Sequence, residues 1–215
     1  IRVDTVPEVK KPFWQDFNRA AGVFAVGEVN NGDVDLVSPY QGQALDSVLS
    51  YPLFFTLRQA FSPSGDLTII QNSRQDYLAK FVDTTTLGVF LDNHDYPRFL
   101  NGNSDLAQYH SALTYVVLSE GIPIIYYGTE QQFNGGNDPH NREPMWKSGF
   151  NTGLPTYSLL TKLVATKKSS QLWIYPQVQR YADKMFYAFS RGNLLVCLTN
   201  SGSNGSGNVT RTLTY

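Results

Sequence analysis

The stretch "TLGVFLDNHDYPRF", residues 86–99, starts as an apolar run suited to a buried strand and stops on Asp92, Asn93, His94 and Asp95. A core strand ending in two carboxylates, an amide and an imidazole sets polar groups at its C-terminal edge. Similar apolar runs occur at "GVFAVGEV" (22–29), "ALDSVLSY" (44–51) and "IPIIYYG" (122–128). Helical spacing of apolar residues predicts helices between them, at about 9–20, 53–61, 69–82 and 105–119, with another at about 154–168. Runs apolar throughout and separated by helices are the pattern of parallel strands covered on both faces, so residues 1–170 read as an α/β unit.

After about residue 170 the pattern changes to short alternating segments, "LWIYPQVQRY", "KMFYAFS", "NLLVCLTN" and "NVTRTLTY", joined by turn-like "ADK", "RGN" and "SGSNGSGN". Residues 171–215 are therefore expected to begin a small antiparallel β domain.

Strand ends discriminate between a doubly wound open sheet and a (β/α)₈ barrel. A doubly wound nucleotide binder carries a Gly-rich phosphate loop after its first strand, and none follows any strand here. A barrel gathers its site from the C-terminal ends of several strands. Ionisable groups end the runs at Gly27-Glu28-Val29, at Asp92–Asp95 and at Tyr127-Gly128-Thr129-Glu130, and the opening "IRVD" reads as a further strand end with Arg2 and Asp4. Four such ends favour the barrel, yet only about five of its eight strands can be counted. The start at "IRVDTV" reads as the interior of a longer chain.

Composition narrows the function classes. Lys and Arg (17) nearly balance Asp and Glu (18), so nothing suggests a nucleic-acid face. No apolar run reaches membrane-spanning length. Cys197 is the single cysteine, so no internal disulfide forms, and its place in "NLLVCLTN" suggests a small buried strand residue. Two glycosylation triplets occur, Asn204-Gly-Ser and Asn208-Val-Thr.

If Asp4, Glu28 and Asp95 share one rim, with Arg2 and His94 among them, they cannot all ionise freely, and one should hold a proton near neutrality. That division suits retaining glycoside hydrolysis, which needs one ionised carboxylate as nucleophile and one protonated carboxyl as acid. Each residue has a plainer reading. Asp4 before Thr5-Val6-Pro7 resembles a helix cap, Glu28 a solvated carboxylate, His94 a buried hydrogen-bonded imidazole and Arg98 a structural ion-pair partner. Asp92, His94 and Asp95 are metal-ligand types, but their spacing matches no H-E-x-x-H or EF-hand pattern.

"RVDTV", "GEV" and "FLDNHDYPRF" resemble, in order and spacing, the second, third and fourth sequence regions of the α-amylase family, glycoside hydrolase family 13, and most closely its fungal secreted members. "DSVLSYP", "GIPIIYYGTEQ" and "GGNDPHNREPMW" extend the likeness along nearly the whole chain. The resemblance implies the C-terminal half of a (β/α)₈ TIM barrel, from the end of strand 4 to helix 8, followed by part of an antiparallel β domain. It implies Asp4 as nucleophile, Glu28 as general acid/base, Asp95 as the transition-state-stabilising carboxylate, and Arg2 and His94 as their charge and sugar partners. Gly32, Asp138 and Arg142 match glucan-contacting positions.

The family pattern has Lys-His after the nucleophile region, where this chain has Pro7-Glu8. By resemblance the Glu8 main-chain carbonyl stands where a structural calcium is bound, the other ligands lying in the absent half. The implied protein is a secreted, monomeric enzyme cleaving α-1,4-glucosidic bonds in starch-like glucans. Competing readings are an α-glucosidase or transglycosylase of the same family and a noncatalytic glucan-binding relative, the last expected to lack a carboxylate. The 215 residues alone are expected to be inactive.

Overall fold

The computed structural model describes residues 1–205 and 210–214. Five short parallel strands come first, β1 (Arg2–Val3), β2 (Val26–Gly27), β3 (Ser47–Val48), β4 (Gly88–Val89) and β5 (Ile122–Pro123). β1, β2 and β3 pair in sequence order, with Arg2 opposite Val26 and Val26 opposite Ser47. β4 pairs with β5, and a parallel bridge from Leu49 to Gly88 joins the two groups. Sequential, all-parallel order with helical crossovers is the arrangement of a β/α barrel rather than of a doubly wound sheet. The chain forms part of such a barrel.

Eight helices accompany the strands among the described residues: α1 (Lys11–Ala21), α2 (Val34–Val37), α3 (Tyr40–Gln43), α4 (Tyr51–Ala60), α5 (Thr68–Lys80), α6 (Phe99–Gly102), α7 (Leu106–Leu118) and α8 (Pro155–Ser169). Local chemistry fixes several boundaries. α1 carries Pro12 in its first turn and stops at Gly22, whose φ of 62° is left-handed and free of strain only without a Cβ. Asp105 caps α7 by accepting the N–H groups of Ala107 and Gln108. The five longer helices match the expected segments to within two residues at most ends.

α7 is buried on several sides, through Tyr109, Ala112, Leu113, Tyr115, Val116 and Val117, because the partial barrel, α8 and the C-terminal sheet all pack on it. That sheet is antiparallel, β6 (Val178–Ala182), β7 (Phe186–Arg191) and β8 (Leu194–Thr199), in sequence order. Polar ties lock the two units. Arg191 Nη1 donates to the Leu118 and Ser119 carbonyls at the end of α7, and Gln177 Oε1 accepts the Glu120 N–H at 3.0 Å.

Several expectations change. The apolar runs are longer than the ladders within them, so "IPIIYYG" is strand only at Ile122–Pro123, and Glu130 falls in a turn over 127–132. Cys197 is exposed, not buried, because strand alternation turns Val196 and Leu198 inward and Cys197 outward. Of the expected final strand, residues 210–214 adopt no strand, while 208, 209 and 215 lie outside the described residues, as do Asn208 and Ser206 of the glycosylation triplets.

Candidate active site

The C-terminal ends of β1, β2 and β4 meet on one rim. Just beyond β1, Thr5 turns the chain sharply with φ 45° and ψ 45°, a left-handed conformation strained for a β-branched residue. The turn leads into a short helical segment, Val6–Glu8, pinned where Trp14 Nε1 donates to the Val6 carbonyl at 2.8 Å. No side chain caps that segment, so Asp4 is no helix cap; its carboxylate is instead 67% exposed on the rim.

Glu28 follows β2, whose Gly27 is closely covered: a Cβ there would come within 2.6 Å of the Leu45 side chain. Glu28 is 5% exposed and therefore not the solvated carboxylate of the plainer reading. Its Oε2 accepts from Arg2 Nη2 at 3.1 Å and from the Thr5 N–H at 3.4 Å, and its Oε1 accepts from the Tyr51 hydroxyl at 3.0 Å. Arg2 also approaches Asp4 Oδ1 at 3.6 Å, so one guanidinium lies against both carboxyl groups.

Environment pushes the two apart. A hydrogen bond with the Glu28 carboxyl, aided by Arg2 and His94, holds Asp4 below the usual carboxylate range. Burial, then the hydrogen bond with Asp4, pushes Glu28 above it. A carboxyl shifted toward its ionised form beside one shifted toward its protonated form is the kind of division that retaining glycoside hydrolysis uses.

The opening stretch divides in two. Asp92 turns inward, accepting the Phe99 N–H at 2.7 Å and pairing with Arg58 at 3.4 Å. Asp95 is exposed on the rim, with His94 Nε2 3.4 Å from its Oδ1, and His94 is itself partly exposed, not a buried imidazole. Arg98 is the buried structural ion-pair residue expected, bonded to Glu143 at 3.0 Å.

The supporting loops differ in how they join this rim. Arg142 Nε bonds Asp138 Oδ1 at 2.9 Å and donates to the His94 carbonyl at 3.2 Å, so both loop residues are tied to the end of β4. Gly32 lies in the loop after β2, where a Cβ would come 3.2 Å from the Phe55 ring.

The family model for the α-amylase catalytic domain matches residues 3–191. The chain belongs to the α-amylase family of glycoside hydrolases. It is 43% identical over 164 residues to α-amylase 1 of Lipomyces kononenkoae, covering 76% of this chain and 26% of that protein. It is 35% identical over 225 residues to α-amylase 2 of Schwanniomyces occidentalis, covering 100% of this chain and 44% of that one. An α-amylase structure from Malbranchea cinnamomea superposes with a TM-score of 0.90 at 39% identity, covering 95% of this chain and 44% of its own. The chain thus spans less than half the length of these relatives.

Membership of the α-amylase family raises the question of calcium, which takes six to eight oxygen ligands. Among the described residues no group of three or more His, Cys, Asp or Glu side chains is arranged to hold a metal. The carboxylates of the described residues therefore do not gather into a calcium site. Glu8, whose carbonyl the resemblance put forward for calcium, lines an open pocket of about 420 Å³ beside Glu28, Asn30 and Asn31.

Tyr51 escaped the sequence reading, and Asn93, though named at the strand end, was given no role there. The search for strand ends counted ionisable side chains, and neither residue ionises usefully near neutrality. The available signal was position: Tyr51 follows β3 as Glu28 follows β2. Both line an apolar trough of about 250 Å³ with Arg2, Phe90, His94 and Ile124.

Proposed function

We propose that this chain is the catalytic-site half of a secreted α-amylase, an endo-acting, retaining hydrolase of α-1,4-glucosidic bonds in starch, glycogen and related glucans. The observation that carries the reading is Arg2 lying against Asp4 and Glu28 while their environments push the two carboxyl groups in opposite directions. Asp4 attacks the anomeric carbon and forms the glycosyl-enzyme bond. Glu28 gives its proton to the departing glycosidic oxygen, then takes one from the water that releases the sugar. Asp95 and His94 bind hydroxyls of the cleaved residue, with Gly32, Asp138 and Arg142 contacting glucan farther along the cleft.

The same reading divides the chain at residue 170 between barrel and β domain, and treats the protein as a monomer with no nucleic-acid or membrane partner. Calcium would be shared between the Glu8 carbonyl and ligands beyond these 215 residues, and glycans would sit on Asn204 and Asn208. A noncatalytic glucan-binding role is disfavoured because Asp4, Glu28 and Asp95 are all present.

The test is hydrolysis of soluble starch by the full-length protein beside its Glu28→Gln variant. Loss of iodine staining well ahead of reducing-sugar release, and a fall in kcat of about 10²–10⁴-fold in the variant, are expected. A full-length protein that binds glucan without cleaving it would sink the proposal. The 215 residues alone are expected to be inactive, since their trough and the edge of β5, with Ile122, Ile124 and Tyr127, lie open.

A further inference from the structure

Tyr51 begins α4 and is 1% exposed, its ring held among Phe54, Phe55, Phe90 and Tyr96. Its hydroxyl is 3.0 Å from Glu28 Oε1, and Asn93 Nδ2 is 3.1 Å from its oxygen. The Asn93 amide is oriented independently of both. Its Oδ1 accepts the backbone N–H groups of Asp95 at 3.1 Å and Tyr96 at 3.0 Å, which leaves Nδ2 to face Tyr51. With Asn93 donating to the phenol oxygen, the phenol proton is directed at Glu28. A chain of donors therefore runs from the loop backbone after β4 to one oxygen of the buried carboxyl.

We propose that Tyr51 is a positioning residue for the acid: the Asn93–Tyr51 chain holds Glu28 Oε1 while Arg2 and the Thr5 N–H hold Oε2, so the carboxyl is fixed in one plane against the rim. The proposal rests on the reading of Glu28 as general acid. It gives the aromatic cluster beneath the rim a task besides packing, since Phe54, Phe90 and Tyr96 fix the ring that aims the hydroxyl. Without that hydroxyl, Oε1 loses the one donor recorded for it and the carboxyl is held only through Oε2.

The phenol also favours the ionised carboxyl, against the burial that raises it. The other groups facing Glu28 are Arg2 from β1, and Asp4 and the Thr5 N–H from the turn after it. His94 acts on Asp4, and Asp95 and Tyr96 act on Tyr51. Tyr51→Phe leaves Arg2, Asp4 and the Thr5 N–H in place; it removes one donor to Glu28 and the acceptor of Asn93 Nδ2.

The experiment uses the full-length protein and compares wild type, Tyr51→Phe and Glu28→Gln on maltopentaose and on an aryl maltotrioside whose phenolate leaves without protonation. Tyr51→Phe should move the alkaline limb of kcat/KM on maltopentaose upward by about half to one pH unit, because the carboxylate loses a donor. Its kcat on maltopentaose should fall about 10-fold, with a much smaller fall on the activated substrate, since only the former needs the acid. Asn93→Ala, which frees the phenol to rotate, should move the limb in the same direction by less.

Unmoved pH profiles in both variants, or equal losses on the two substrates, would overturn the proposal while Glu28→Gln remained inactive on maltopentaose. An inactive wild type, or a Glu28→Gln variant that kept its activity on maltopentaose, would instead overturn the acid assignment beneath it.

Discussion

Asp92 and Asp95 stand three residues apart in one loop and have opposite surroundings. Asp92 is buried, and its oxygens are engaged by the Phe99 N–H, Arg58 and the Tyr109 hydroxyl at 3.2 Å. Asp95 is exposed and meets His94 at 3.4 Å. The difference teaches what each carboxylate is for. A buried ion whose lone pairs are taken by fixed donors holds the chain in place, whereas one left open on a rim can bind a substrate hydroxyl or stabilise a developing charge.

That contrast is open to direct attack. In the full-length protein, Asp92→Ala should destabilise the fold by about 3–5 kcal/mol, since it strands the Arg58 charge, with chemical denaturation as the readout. Asp95→Ala should leave the unfolding midpoint nearly unchanged and cost activity of about 10²–10³-fold. Swapped outcomes would mean that the loop has been assigned the wrong way round.

The pH profile sharpens the same division for the pair across the rim. With Asp4 as the proposed nucleophile and Glu28 as the proposed acid, activity should be lost as pH falls through the lowered Asp4 value and again as pH rises through the raised Glu28 value. The pair titrates together, and its two limbs should bracket an acidic optimum. Arg2→Met removes the cation that favours the ionised form of both groups and should raise both limbs; a profile with unmoved limbs would contradict the role given to Arg2.

Smaller effects come from outside the cluster. Glu8→Gln in the pocket beside Glu28 should alter KM and product pattern by a few-fold, about 1 kcal/mol or less, with the pH limbs unchanged. Cys197→Ser on the outer face of β8 should change stability by no more than about 0.5 kcal/mol.

The sequence made much of this legible for physical reasons. Strands buried on both faces write continuous apolar runs, and α1, α4, α5, α7 and α8 write helical periodicity, so the α/β order could be read directly. Ionisable residues at the ends of β1, β2 and β4 drew attention because charge at a buried edge is costly without a purpose. Ladder lengths were not legible, since "IPIIYYG" is as apolar outside β5 as within it. The separation of Asp92 from Asp95 depends on which way a loop turns, and that is decided by Arg58 and Tyr109, 34 and 17 residues away in sequence. Tyr51 was hidden for a similar reason: nothing local distinguishes a tyrosine packed among phenylalanines from one whose hydroxyl reaches Glu28.

The most direct test of the central claim is the anomeric form of fresh product, read by proton NMR within the first minutes of starch hydrolysis by the full-length protein. Asp4 as nucleophile and Glu28 as acid predict α-product first, with the β-anomer appearing only by mutarotation. β-Product at the outset would mean that water attacks directly, and would contradict the covalent role assigned to Asp4.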